Sequence, residues 1–329
     1  MSSVLYKTNQ DIPQDMLLGN MIFMSLADMT IAENDLINIF NNNNIPSAFV
    51  RKISKADAFR RATSYAKNKI IYVSDISTGA SIKAKIEVDE VKSDEYGIKR
   101  IIGFKSINQK NEDISYTPIG SVLFDRDTEQ ISYAIEPIYS NQQDIVDIFD
   151  TINNNYSSWS VYHNKDTVKN IINRIIISTN PVNLMPTGLC KFVPSNSTNL
   201  MYSLKGALAE MNTFKNANSD SNIMEIIPVI DTEEQRNIVE KNFTAEITNE
   251  LFDFTQVLKD TITNKNEIST RTAHAYIEKF RILKEKAEEY GNLLGIYIGS
   301  IKTQIENALT LVADNSDLDE DEVDIGTWA

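Results

Sequence analysis

Between residues 82 and 88 apolar and charged side chains alternate strictly. Ile82, Ala84, Ile86 and Val88 hold one phase; Lys83, Lys85, Glu87 and then Asp89 hold the other. A period of two belongs to a strand with one buried face. Ile98–Phe104, Ser121–Phe124 and Ile131–Ile135 continue the pattern, and the polar stretch Asp125–Gln130 reads as a hairpin turn. The chain from Lys69 to Pro137 therefore predicts an antiparallel β-meander with a polar face.

A second pattern governs the C-terminal part. Val239, Phe243, Ile247, Leu251, Phe254, Leu258 and Ile262 recur at steps of four and three, after the helix-start signal Asp231-Thr-Glu-Glu234. Past a polar break at Thr263–Ser269, Ala273, Tyr276, Phe280, Leu283, Ala287, Tyr290, Leu294, Tyr297 and Ile301 keep a mean step of 3.5. Two such helices joined by a short break predict an antiparallel, coiled-coil-like hairpin.

The remaining blocks are less regular. Residues 1–69 read as helical, with Thr30 and Glu33 as a capping box for a helix over Ile31–Phe40. A second helix is predicted to start at Ser54, with Ala58, Phe59, Ala62, Tyr65 and Ala66 on one side. Between Asn141 and Ile230 two helices precede a short strand, a helix over Asn199–Phe214 and a strand at Ile223–Val229. A crossover of that kind makes its two strands parallel if they share a sheet. The fold expected is α+β: N-terminal helices and meander over 1–137, a mixed α/β region over 138–230, a helical arm over 231–313 and a disordered acidic tail over 314–329.

Composition narrows the function. With 329 residues, 42% of them hydrophobic, the chain can bury more than one core. Its net charge of −14 disfavours nucleic-acid binding by the surface as a whole, although half of that charge sits in the tail. One cysteine, Cys190, excludes an internal disulfide framework and fits a reducing compartment. The N-terminus lacks a secretion-signal pattern, and the uncharged run Tyr290–Ile301 is about two-thirds of a membrane span. A cytoplasmic protein without a membrane segment is expected, in a bacterial host if phage-encoded.

Enzymatic chemistry finds little support. The two histidines, His163 and His274, and one cysteine do not make a zinc site, and neither a P-loop nor a dinucleotide-binding glycine motif occurs. Asp125, Asp127 and Glu129 alternate as magnesium ligands do, yet their place between strands reads as a polar turn. No catalytic residue, metal or cofactor is expected.

Three features point to binding instead. Arg51, Lys52, Lys55, Arg60, Arg61, Lys67 and Lys69 face a single acid, Asp57, over nineteen residues of an otherwise acidic chain. With Phe59 and Tyr65 interleaved, this patch suits the phosphates and bases of single-stranded nucleic acid. Gly291, Gly295 and Gly299, four apart, cost roughly 3 kcal/mol inside a helix, which a closely approaching second helix would offset. They predict a self-association face and a homo-oligomer, or close contact within the arm. Finally, Asp314–Ala329 carries seven acids and no base, and ends Ile325-Gly-Thr-Trp328-Ala329. Such a tail predicts a mobile peptide that docks on a protein partner through Ile325 and Trp328.

The stretch Asp57-Ala58-Phe59-Arg60-Arg61-Ala62-Thr63, with Pro46 before it and Thr187-Gly188 through Phe192-Val193-Pro194 after it, resembles a family of uncharacterised phage and mobile-element proteins. The resemblance implies a context and no activity. The tail is similar in kind to the acidic tips of single-strand-binding proteins, which recruit replication partners, though it ends in Trp-Ala rather than Pro-Phe. Two functions fit these features. One is a non-enzymatic, phage-type nucleic-acid-binding or replication accessory protein with a partner-recruiting tail. The other is a structural or assembly protein that self-associates through its arm.

Overall fold

Leu17–Ser25 forms a strand, β1, where the pattern predicts helix. Its run Leu-Leu-Gly-Asn-Met-Ile-Phe-Met-Ser does not alternate because β1 lies inside a sheet, with neighbours on both edges and its first half wholly buried. Gly19 permits that packing, since a Cβ there would overlap the Val193 carbonyl and the Phe192 ring. The structure, a computed structural model, describes residues 13–74, 79–107, 113–185, 188–265 and 268–316, together with Val323 and Ile325.

After β1 come β2 (Thr30–Ala32), α1 (Glu33–Asn42) and α2 (Lys55–Ser64). The predicted capping box is absent. Ala32 stands at the start of α1, and Glu33 turns away to accept from the amide of Ile53 at 2.7 Å. At α2 the prediction holds: Ser54 Oγ accepts from the Asp57 amide at 3.1 Å. Ala58, Phe59, Ala62 and Ala66 are buried, whereas Tyr65 is not.

The meander follows in chain order as β3 (Ile70–Ser74), β4 (Ser81–Ser93), β5 (Gly97–Ile107), β6 (Asp113–Asp125) and β7 (Ile131–Ile135), each antiparallel to the next. Its apolar phase, including Ala84, Ile86 and Val88, meets α2 and α3 (Gln143–Trp159) in one core, with Phe59 stacked on Phe124 at 5.6 Å. The Asp125–Gln130 segment is the predicted turn, held by Asp125 Oδ1 accepting from the Thr128 amide at 2.8 Å.

Next are β8 (Tyr162–Asn164), α4 (Lys165–Ile177), β9 (Val182–Asn183), β10 (Lys191–Pro194), α5 (Thr198–Glu210) and β11 (Ile223–Ile230). Strands β10 and β11 do share a sheet. Both run antiparallel to β1 and hence parallel to each other, with β1 between them in the order β11-β1-β10-β9. Strand β8 pairs with β2.

The arm comprises α6 (Glu233–Lys265), α7 (Thr270–Leu294) and α8 (Gly299–Ala313), three helices rather than a hairpin of two. Val239 to Leu258 and Ala273 to Leu294 supply its core at the predicted positions. The pattern fails at Tyr297, which is 93% exposed. The cause is Gly295, whose φ of +66° ends α7 in a left-handed cap. The glycines therefore do not line one helical face. Gly295 stops α7, Gly299 opens α8, and only Gly291 lies within a helix, where a Cβ would meet Ile298 at 3.2 Å. The left-handed cap that ends α7 accounts for a glycine at position 295.

The acidic tail is not wholly free of the fold. Val323 is buried against the arm, and the Ile325 carbonyl accepts from Lys284 Nζ at 3.2 Å. Trp328 lies outside the described residues. Among those described, no helix is long and apolar enough to cross a membrane.

Candidate functional site

A cleft of about 380 Å³ opens between α2 and α4. Residues three and four apart on a helix share a face, so Ser54, Asp57 and Arg61 present one side of α2 to it. Thr167, Asn170 and Arg174 do the same from α4. The linker before α2 contributes Arg51 and Lys52. Four cations thus face one acid, Asp57, which also pairs with Arg60 at 3.7 Å.

Both walls are fixed by hydrogen bonds to distant backbone. Glu33 holds the linker through the Ile53 amide, and the Arg174 guanidinium donates to the Phe49 carbonyl. Asn164 caps α4, its Oδ1 accepting from the Thr167 amide at 3.0 Å and from the Thr167 hydroxyl at 2.9 Å. Two helices consequently begin at the cleft, and their N-terminal dipole ends favour an anion there.

His163 completes the lining. The pairing of β8 with β2 sets it opposite Ile31, where it is 3% exposed and its Nε2 has no hydrogen-bond partner. Burial pushes its pKa below the ordinary histidine value, Glu33 acting against that shift and Arg61 with it. The imidazole is therefore mainly neutral at pH 7.

The seven predicted cations do not form one patch. Arg60 bonds Glu90 at 3.3 Å, beside Arg100 on the same carboxylate oxygen, and Lys67 lies 3.7 Å from Glu87 on β4. Lys55 Nζ donates to the Ser160 carbonyl at 2.5 Å. These three support the junction between α2, the meander and α3. Arg51, Lys52 and Arg61 reach the cleft, where Arg174 joins them. Lys69 lies 4.3 Å from the ring of Tyr65.

An aromatic pair adjoins Arg61, on the cleft's α2 wall. Tyr65 meets Trp159 edge to face at 5.8 Å, and the Arg61 guanidinium lies 5.7 Å from the Trp159 ring. Tyr65 is 54% exposed. Arg61 is common to both features: it lines the cleft and touches the aromatic pair.

A family model matches residues 17–318, from β1 to beyond α8. The chain belongs to the family of unknown function DUF6744. The DUF6744 match takes in the meander, the cleft and the whole arm, and so covers every element described above. No curated protein and no solved structure matches the chain.

Two residues of the site, Arg174 and His163, do not stand out in the sequence as parts of it. Arg174 bonds a carbonyl 125 residues earlier, and His163 arrives through a three-residue strand. One local signal exists: Thr167, Asn170 and Arg174 are the polar residues of α4 at helical spacing beside its buried Val168, Ile171 and Ile175.

Proposed function

We propose that this chain is a non-enzymatic protein that binds single-stranded nucleic acid across the α2–α4 cleft and the Tyr65–Trp159 pair. The supporting observation is Arg61, which lines a basic cleft and lies over the half-buried Trp159 ring, itself in contact with the exposed Tyr65. Phosphates supply charge and bases supply flat faces, so a single strand needs both kinds of contact side by side. Duplex recognition would instead need a helix or ribbon shaped for a groove. The phage or mobile-element setting, a cytoplasmic location and recruitment of a protein partner by the tail belong to the same proposal.

Fluorescence anisotropy with labelled single-stranded oligonucleotides, at low and physiological salt, tests it. With four cations on the strand, log affinity is expected to fall against log salt with a slope of about −3. Absence of binding at low salt would overturn the reading.

The second reading, self-association through the arm, rests on Phe252, exposed on α6 beside a groove of about 420 Å³ also lined by Leu251 and Leu311. Under this reading a second copy of the chain covers the groove. A monomeric mass in light scattering would remove it.

A further inference from the structure

We infer that the α2–α4 cleft receives a terminal phosphate, a phosphomonoester at the end of a strand, with His163 as a hydrogen-bonding group at its buried wall. This deepens the nucleic-acid reading and rests on it for the identity of the ligand.

Three observations carry the inference. First, the cationic side chains come from different directions: Arg51 from the linker, Arg61 from α2 and Arg174 from α4. An internal phosphodiester offers two free oxygens, and its two ester oxygens tie it into a chain running both ways. A terminal phosphate offers three free oxygens and one ester bond, so it can be approached from several sides at once. Second, about 380 Å³ lies near the lower end of small-molecule pockets and suits one nucleotide better than a continuous strand. Third, His163 lines the cleft, and its Nε2 is a buried polar atom without a hydrogen-bond partner. A buried group left unpaired costs stability, and a phosphate oxygen drawn against the imidazole would remove that cost.

The charges around His163 set its response to an anion. Burial disfavours its protonated form most; Glu33 on α1 favours that form and Arg61 on α2 disfavours it. Arg51 and Lys52 on the linker and Arg174 on α4 also line the cleft, opposed by Asp57 on α2. An anion that offsets these cations favours the imidazolium, so occupation should take up a proton as the pH falls toward the ordinary histidine range. Sulfate is the better probe of this linkage because its own charge stays constant there.

The full chain carrying Trp328→Phe leaves Trp159, beside Arg61, as the one reporter of binding. Titrations would compare a 5′-phosphorylated, a 3′-phosphorylated and an unphosphorylated oligonucleotide of one sequence, then adenosine monophosphate, inorganic phosphate and sulfate. At least one phosphorylated strand should bind about tenfold tighter than the unphosphorylated one, the worth of one charge-assisted hydrogen bond. That preference should collapse in Arg51→Met, an exposed position, and in His163→Phe, which fills the space without a donor. Sulfate affinity should rise between pH 7.5 and pH 5.5 in the parent and stay flat in His163→Phe. Should His163→Phe fail to fold, the Arg51→Met comparison and the parent's sulfate profile decide. Equal affinity for all three strands would overturn the terminal-phosphate inference while leaving strand binding intact. Saturable binding of phosphate or adenosine monophosphate with no strand bound would keep the phosphate site and remove the nucleic-acid reading. Failure of every probe to bind would remove both.

Discussion

Lys286 Nζ lies 2.5 Å from Glu246 Oε1, joining α7 to α6 inside the arm. The same ammonium donates to the Pro181 carbonyl at 2.9 Å, and Glu246 accepts from the amide and side chain of Asn183, both at 2.8 Å. One ion pair thus fixes the arm to the edge of the four-stranded sheet. Burial would push the Glu246 carboxyl up, but Lys286 and Asn183 outweigh it and hold the pKa below the usual carboxylate range. Glu250, one turn on, is pushed up by burial and by Glu246, with Lys286 acting against the shift.

These opposite shifts predict opposite mutants. Glu246 contributes stability in full above its ordinary value of 4.5 and loses it as the pH falls through the depressed folded value. Glu246→Gln should cost about 3 kcal/mol at pH 7, because it leaves Lys286 buried without its charge partner. Glu250 has the reverse sign: its charge costs stability at neutral pH, and the cost disappears on protonation. Glu250→Gln should therefore raise Tm at pH 7 and lose that advantage in acid. Thermal unfolding across pH 3–7 checks both.

Arg60 and Arg61 are neighbours with different duties. Arg61→Glu should weaken oligonucleotide binding by about tenfold, since it reverses a charge shared by the cleft and the aromatic pair. Arg60→Glu should leave affinity within about twofold and lower stability by at most about 1 kcal/mol, the scale of a partly exposed ion pair. Anisotropy and denaturant unfolding on the same two proteins separate the effects. Equal loss of affinity in both would favour a diffuse basic patch over a defined cleft.

At Gly295 the prediction concerns backbone and not space. A Cβ at this position would have no atom within 4 Å, and φ is +66°. Gly295→Ala and Gly295→Leu should therefore cost nearly the same, about 1–2 kcal/mol for a left-handed residue with a side chain. Gly295→Asn should cost less. A far larger loss for leucine than for alanine in calorimetry would show that a partner does pack there.

Much of this architecture is visible in the sequence, and each omission has a cause. The meander shows itself because one face is wet, so Ile86 and Lys85 must differ. The cap at Ser54 is local chemistry and needs no tertiary knowledge. Strand β1 escapes because burial on both sides erases the alternation that marks a strand. The end of α7 escapes because Tyr297 and Ile301 keep the heptad count across Gly295, and counting does not register a change in the sign of φ. Half of the cleft is readable as a run of cations. Which of them stay free for a ligand depends on Glu87 and Glu90, acids of a neighbouring strand.

Val323 supplies a test of the tail. Buried against the arm within a strongly acidic stretch, it should be worth about 1–2 kcal/mol, so Val323→Ala ought to lower the denaturant midpoint measurably. No change would mean that the tail contributes nothing to folding.

The place of β1 between β10 and β11 has a consequence for how the chain is made. Its partners in β11, Ile223 to Ile230, leave the ribosome long after Leu17–Ser25, roughly 10–40 s later at ordinary synthesis rates. The meander pairs only with its own neighbours in the chain and can assemble during that interval. Over the same period the first strand has its final sequence but neither of its edges. A nascent chain held in this state is open to pairing with another of its kind, so synthesis speed and chaperone supply become determinants of yield for a protein whose finished form pairs that strand on both edges and buries its first half.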